Sequence, residues 1–178
     1  MVPTRLLPIG NCLALMGMLV YPTSQAANAQ DRERPQRSGI PSRIIAGTVV
    51  SGDVDARTLR AALEALPRRP AQIVVVAAGT EPLAHEKQLR DLDGFVLAGS
   101  RIVYLRRQSE TLLAAEYSGG PYVLMLAAII WHEMAHTEGL DERHAQEREE
   151  ELWKQFVQRS LVDSGVGLTY LEEMRRRR

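Results

Sequence analysis

The order of apolar patterns along this 178-residue chain predicts an α+β fold, a small mixed sheet packed on one very apolar helix and on a charged amphipathic helix that follows it. Three observations carry the prediction. Short runs rich in β-branched residues lie on either side of a helical repeat between residues 44 and 78. A second strand pair brackets a glycine near residue 99. From Pro121 onward the periodicity is helical throughout.

The N-terminus reads as an export signal. Arg5 is followed by an apolar stretch from Leu6 to Val20 and then by Ala27-Asn28-Ala29, the small-x-small pattern of a cleavage site, so residues 1–29 are assigned as a secretory signal peptide. That assignment predicts a periplasmic or extracellular protein with no stable membrane anchor after cleavage. Cys12, the one cysteine, falls within the signal, so neither a disulfide nor thiol chemistry is expected of the mature chain. Residues 30–43 hold charged, polar and proline residues with hardly an apolar one and read as a disordered leader. After cleavage about 150 residues remain, leader included, enough for one domain with a core, taken as 44–178. Formal net charge is zero and no basic stripe is interleaved with aromatics, which excludes nucleic acid as an expected partner; the arginines at 175–178 read as a solvated terminal run.

Ile44 to Val50 reads as a first strand ended by Ser51-Gly52. Asp53 or Asp55 can cap the helix that follows, in which Leu59, Ala62, Leu63 and Leu66 recur at helical spacing before Pro67 stops it. Gln72 to Ala78 is too apolar for a strand with one wet face and is predicted to be central. Residues 79–93 read as a short helix or ordered loop, with His85 as a surface or loop histidine. Phe95 to Leu97 and Arg101 to Leu105 form a hairpin about Ala98-Gly99-Ser100. Ser109 caps a short helix broken at Ser118-Gly119-Gly120. The next helix opens on Pro121 and closes at Gly139, a second runs from about Glu142 to Leu161, and a terminal helix starts near Asp163. Helices joined by so short a link as Leu140-Asp141 must fold back on one another.

Chemistry enters at His132-Glu133-Met134-Ala135-His136. Tyr122 to Trp131 carries no charge, so a helix here is buried nearly all round, and ionised groups inside it cost several kcal/mol unless satisfied. A bound cation is the simplest partner. Residues four apart share a helix face, so His132 and His136 can hold one ion while Glu133, one step round, can reach a water beside it. The pentad resembles the His-Glu-x-x-His zinc helix of the zincin metallopeptidases. That resemblance implies Zn²⁺ as cofactor, His132 and His136 as metal ligands, Glu133 as general base, and a peptide or protein as substrate. It also implies a strand before the zinc helix that pairs with extended substrate, for which Arg101 to Arg107 is the candidate.

A third ligand is required of a catalytic zinc site. The metzincin pattern, which Gly139 matches, would place it on Glu142, where those enzymes carry His or Asp. Gluzincins take it instead from a glutamate on the following helix, which offers Glu147, Glu149, Glu150 and Glu151. Glu149 shares the apolar face of Ala145, Leu152, Trp153 and Phe156 and is the expected ligand; Glu147 is the alternative, and Glu150 and Glu151 read as a solvated face. Tyr117, His144 and Tyr170 are oxyanion-stabilising candidates on residue type alone, His144 reading otherwise as an exposed polar residue. The sequence therefore predicts an exported zinc metallopeptidase of gluzincin type, against the alternative of a non-enzymatic exported domain that binds metal structurally or serves in interaction. A fourth protein ligand such as His144 would favour that alternative.

Overall fold

The computed structural model describes residues 42–80 and 92–176; the expected signal peptide and nearly all of the expected leader, and His85 with most of its loop, lie outside the described residues. Mixed α+β structure is what the sequence patterns build. The first apolar run folds as a hairpin of β1 (Arg43–Ile45) and β2 (Thr48–Ser51) rather than as one strand. Ala46 and Gly47 turn the chain with φ of 49° and 86°, the two positive values that a tight two-residue hairpin turn demands. A β-branched run reads alike whether it continues or doubles back, so Gly47 was its one local sign. β1 begins at Arg43, the last residue of the expected leader, whose guanidinium donates to the Val54 carbonyl.

Helix α1 (Ala56–Glu64) is capped by Asp55, whose carboxylate accepts from the Thr58 amide at 2.7 Å, and it buries Leu59, Ala62 and Leu63. It leads to β3 (Gln72–Val76), parallel to β2 and central as expected. β4 (Gly94–Phe95) and β5 (Val103–Arg106) pair antiparallel, the predicted hairpin, with Phe95 stacked on its register partner Tyr104 at 5.1 Å. Sheet order is β1-β2-β3-β5-β4, parallel where β3 meets β2 and β5 and antiparallel at both ends. β5 is thus an interior strand with both edges taken, which corrects the expectation that residues 101–107 offer an edge to substrate. Of the described strands on that side, β4 is the outer one.

Helix α2 (Glu110–Ser118), capped by Ser109, leads into α3 (Pro121–Thr137), which packs against α1, α2, β4 and β5. The burial read from its composition is realised in part: Met125 to Ala128, Ile130 and the four residues 132–135 are buried, while residues 121–124, Ile129 and Trp131 are half-buried. The chain then reverses through a glycine-ended cap. The Leu140 amide donates to the Ala135 carbonyl at 3.1 Å and the Gly139 amide to the His136 carbonyl at 3.0 Å, with Gly139 at φ 85°. Asp141 caps α4 (Glu142–Gln158), which lies along α3. Helix α5 (Ser164–Arg176) closes over α4. The Trp153 indole donates to the Gly167 carbonyl at 2.9 Å and its ring lies 4.2 Å from that of Tyr170, an approach that Gly167 permits because a Cβ there would sit 2.4 Å from Val157 Cγ2. No helix among the described residues is long and apolar enough to cross a membrane.

Two glycines of the first hairpin region separate conformational strain from lack of space. Both Gly47 and Gly52 have positive φ, yet a Cβ on Gly47 meets nothing within 4 Å whereas one on Gly52 would lie 2.2 Å from the Val75 carbonyl oxygen. Denaturant unfolding should therefore find Gly52→Ala destabilised by about 3 kcal/mol or more and Gly47→Ala by only about 1 kcal/mol. Equal losses would contradict the packing of residue 52 on β3.

Candidate metal centre

Both histidines of α3 are held by their Nδ1 atoms. His132 Nδ1 lies 2.9 Å from Glu149 Oε2, and His136 Nδ1 lies 2.9 Å from the Leu140 carbonyl oxygen. A carbonyl, like an ionised carboxylate, can only accept, so each Nδ1 carries the hydrogen and each neutral ring turns the lone pair of Nε2 the other way. The two Nε2 atoms then meet at 3.1 Å. Into the same point comes Glu142 Oε2, 3.5 Å from His132 Nε2 and 3.3 Å from His136 Nε2. Two ring nitrogens and a carboxylate converging at such range are satisfied by positive charge among them, from protons on the rings or from a bound cation.

The size of that triangle tests which charge fits. Ligands 2.0–2.1 Å from a tetrahedral centre stand roughly 3.3 Å from one another, a spacing close to the three edges of this triangle. His132, His136 and Glu142 therefore form a group able to hold a metal ion, among the described residues the one that meets this description. Nitrogen and carboxylate donors in this number suit zinc, though they do not by themselves select it.

Local sequence explains how each donor arrives. The i,i+4 spacing stacks the histidines on one face of α3, their rings 4.9 Å apart. The turn at Gly139 then does two things: it aims the Leu140 carbonyl at His136, and it brings the first residue of α4, Glu142, back over the histidine pair. Glu149 stands roughly 10 Å further along α4, two turns on, and reaches the opposite side of the His132 ring. The structure does not bring Glu149, the expected third ligand, into that group. Its helical face was identified rightly, being buried against α3, but its carboxylate meets Nδ1, and it is Glu142 that joins the Nε2 atoms. Glu147, the alternative, is half exposed and pairs with Arg143 at 3.7 Å. Glu150 departs from the expected solvated face: it is buried and pairs with Lys154 at 2.9 Å and with Arg175 of α5 at 3.3 Å, so that arginine is not merely solvated. Glu151 is exposed as expected. His144 is half exposed with Nδ1 2.6 Å from Asp141 Oδ1, outside the donor group; Tyr117 is almost fully exposed, and the Tyr170 hydroxyl is engaged with Glu149. The Glu142 position carried one legible signal, its place three residues beyond Gly139 in the metzincin spacing.

Glu133, 4% exposed, lines a cavity of about 20 Å³ together with His132, Glu142, Glu149, Asp93, Ile129, Gln146 and Met174. That is room for about one water or ion. Gly94 of β4 is what lets the sheet lie against it, since a Cβ there would stand 3.1 Å from Glu133 Cγ and 3.3 Å from Ile129 Cγ2. Burial pushes the Glu133 carboxyl up to about 7 even though both imidazoliums pull it down. At His132 burial opposes the charge, yet hydrogen bonds to Glu142 and Glu149 outweigh it and hold the ring well above its ordinary range; at His136 the Glu142 hydrogen bond raises it, against burial. Burial of Glu142 works against its charge, but the two histidine hydrogen bonds win and depress its carboxyl far below the usual range.

Comparisons with protein-family profiles, with curated proteins and with solved structures find no match to this chain.

Two measurements check the site. Glu142→Ala should cost far more zinc affinity than Glu147→Ala, which should bind as the parent does, in a competition titration with a chelating dye. The pH dependence follows from the directions above. Raised His132 and His136 stabilise the metal-free chain below about 6.5 and lose that contribution as pH rises, and Glu133 loses its own between 4.5 and about 7, so in chelator the unfolding free energy should fall from about pH 6 to about pH 8. Zinc must displace the imidazole protons, so its affinity should rise over the same interval and offset the loss. A metal-free chain more stable at the higher pH would contradict the histidine environments.

Proposed function

We propose that this chain is a zinc-dependent metallopeptidase of zincin type, exported to the periplasm or cell exterior. The observation that carries the reading is the convergence of two imidazole Nε2 atoms and one carboxylate, three donors and no more among the described residues, beside the buried carboxylate of Glu133. Three protein donors leave a tetrahedral ion one position for a non-protein ligand, the mark of a catalytic rather than a structural centre. His144, which could have made a fourth donor, is turned to Asp141. Export rests on the residue pattern of positions 1–29.

The donor set departs from both sequence patterns considered for it. It has the Gly139 spacing of metzincins with glutamate in place of histidine or aspartate, and it has the two histidines and one glutamate of gluzincins with the glutamate at the first residue of the next helix. The reading is accordingly zincin-type, with the third donor assigned to Glu142.

When bound, the ion would supply Lewis acidity to the attacking water and to the scissile carbonyl. The chain's own groups divide the remaining work. His132, His136 and Glu142 hold the ion. Glu133 takes the proton of the attacking water on a carboxylate oxygen and passes it to the leaving amine. Glu149 and the Leu140 carbonyl fix the ring faces. β4, the outermost of the described strands and beside Glu133, is the candidate edge along which an extended peptide can add.

Glu133→Gln keeps size and polarity but removes basicity. The variant should retain zinc at one ion per chain by elemental analysis while peptide hydrolysis falls by a factor on the order of a hundred or more. A folded, zinc-loaded parent that cleaves no member of a broad peptide library, and that Glu133→Gln leaves unchanged, would overturn the proposal.

A further inference from the structure

The structure assigns a positioning role in metal binding to Tyr170, a residue of the C-terminal helix. Its hydroxyl donates to Glu149 Oε1 at 2.6 Å, and the other oxygen of the same carboxylate accepts from His132 Nδ1 at 2.9 Å. All three groups are buried, at 2%, 6% and 6% exposure for Tyr170, Glu149 and His132. A carboxylate in such surroundings has few partners with which to satisfy its oxygens, and here one is taken by a donor on α5 and the other by the ring of α3. The tyrosine thereby decides which oxygen faces the ring and keeps the carboxylate from rotating. With Glu149 fixed, His132 is held with the hydrogen on Nδ1 and the lone pair of Nε2 aimed at His136 and Glu142.

Packing fixes the tyrosine in turn. Its ring lies 4.2 Å from Trp153, the indole of Trp153 is bonded to the Gly167 carbonyl, and Gly167 allows α5 to sit hard against Val157. The chain of contacts runs from the terminal helix to the metal centre without a gap: α5, Tyr170, Glu149, His132. Removing the hydroxyl while keeping the ring breaks that chain at the bond to Glu149.

This inference rests on the proposed metal site, so the experiment measures zinc affinity in the full mature chain and does not rely on hydrolysis. Tyr170→Phe is expected to weaken zinc binding by a factor on the order of ten, with a circular dichroism spectrum like that of the parent. The loss should disappear when Tyr170→Phe is placed in a Glu149→Ala background, because a residue that acts through Glu149 has nothing left to act on. Equal zinc affinity of Tyr170→Phe and parent, or a full tenfold loss that persists without the Glu149 carboxylate, would overturn the assignment. Should Glu149→Ala fail to fold, Glu149→Gln supplies the same cycle, with the tyrosine effect expected to shrink rather than vanish. A parent that binds no zinc would instead strike at the metal site itself.

Discussion

Everything around the site depends on satisfying two imidazoles and three carboxylates inside an otherwise apolar interior. Each ionised group removed from water costs several kcal/mol unless it is paired and hydrogen-bonded. The solution is a layered one. The Nδ1 atoms are bound outward, to Glu149 and to the Leu140 carbonyl, which forces the Nε2 lone pairs inward upon Glu142. The three groups that meet at this point could hold a metal ion.

Apolar burial on the same helix makes such an arrangement affordable. Met125, Leu126, Ile130 and Met134 are each 4% exposed or less, and side chains of this size contribute about 1.5–3 kcal/mol apiece when buried. Helix α3 is therefore anchored by its own sequence on α1, α2 and the sheet, and the polar groups near its end are carried into the interior with it. Helix α4 answers from the other side with a mixed face: Ala145, Leu152, Trp153 and Phe156 pack, while Glu142 and Glu149 in the same stripe meet the histidines.

The turn between the two helices is the most economical part of the structure. Gly139 in the left-handed region closes α3, and the reversal it permits delivers the Leu140 carbonyl to His136 and Glu142 to both rings within three residues. One backbone conformation thereby orients the ring of His136 and brings Glu142 to the histidine pair. Gly94 plays the complementary part on the sheet side, where the want of a side chain lets β4 lie against Glu133.

The sequence by itself determined the α+β class, the helix cap at Ser109 and a cap at one of Asp53 and Asp55, the central place of β3, and the pair of histidines with Glu133 between them. These are legible because they rest on local spacing: a cap acts over three residues, and i,i+4 puts two rings on one face whatever lies opposite. Periodicity also found that Glu149 faces α3. It could not say which nitrogen of His132 Glu149 would meet, because that depends on how far α4 slides along α3 and on which side of the ring each residue arrives. The same limit hid the fold of residues 43–51 into a hairpin, the interior place of β5, and the ion pair that buries Glu150 against Arg175. Partners distant in sequence decide these features, and a pattern confined to one element carries no record of the element packed against it.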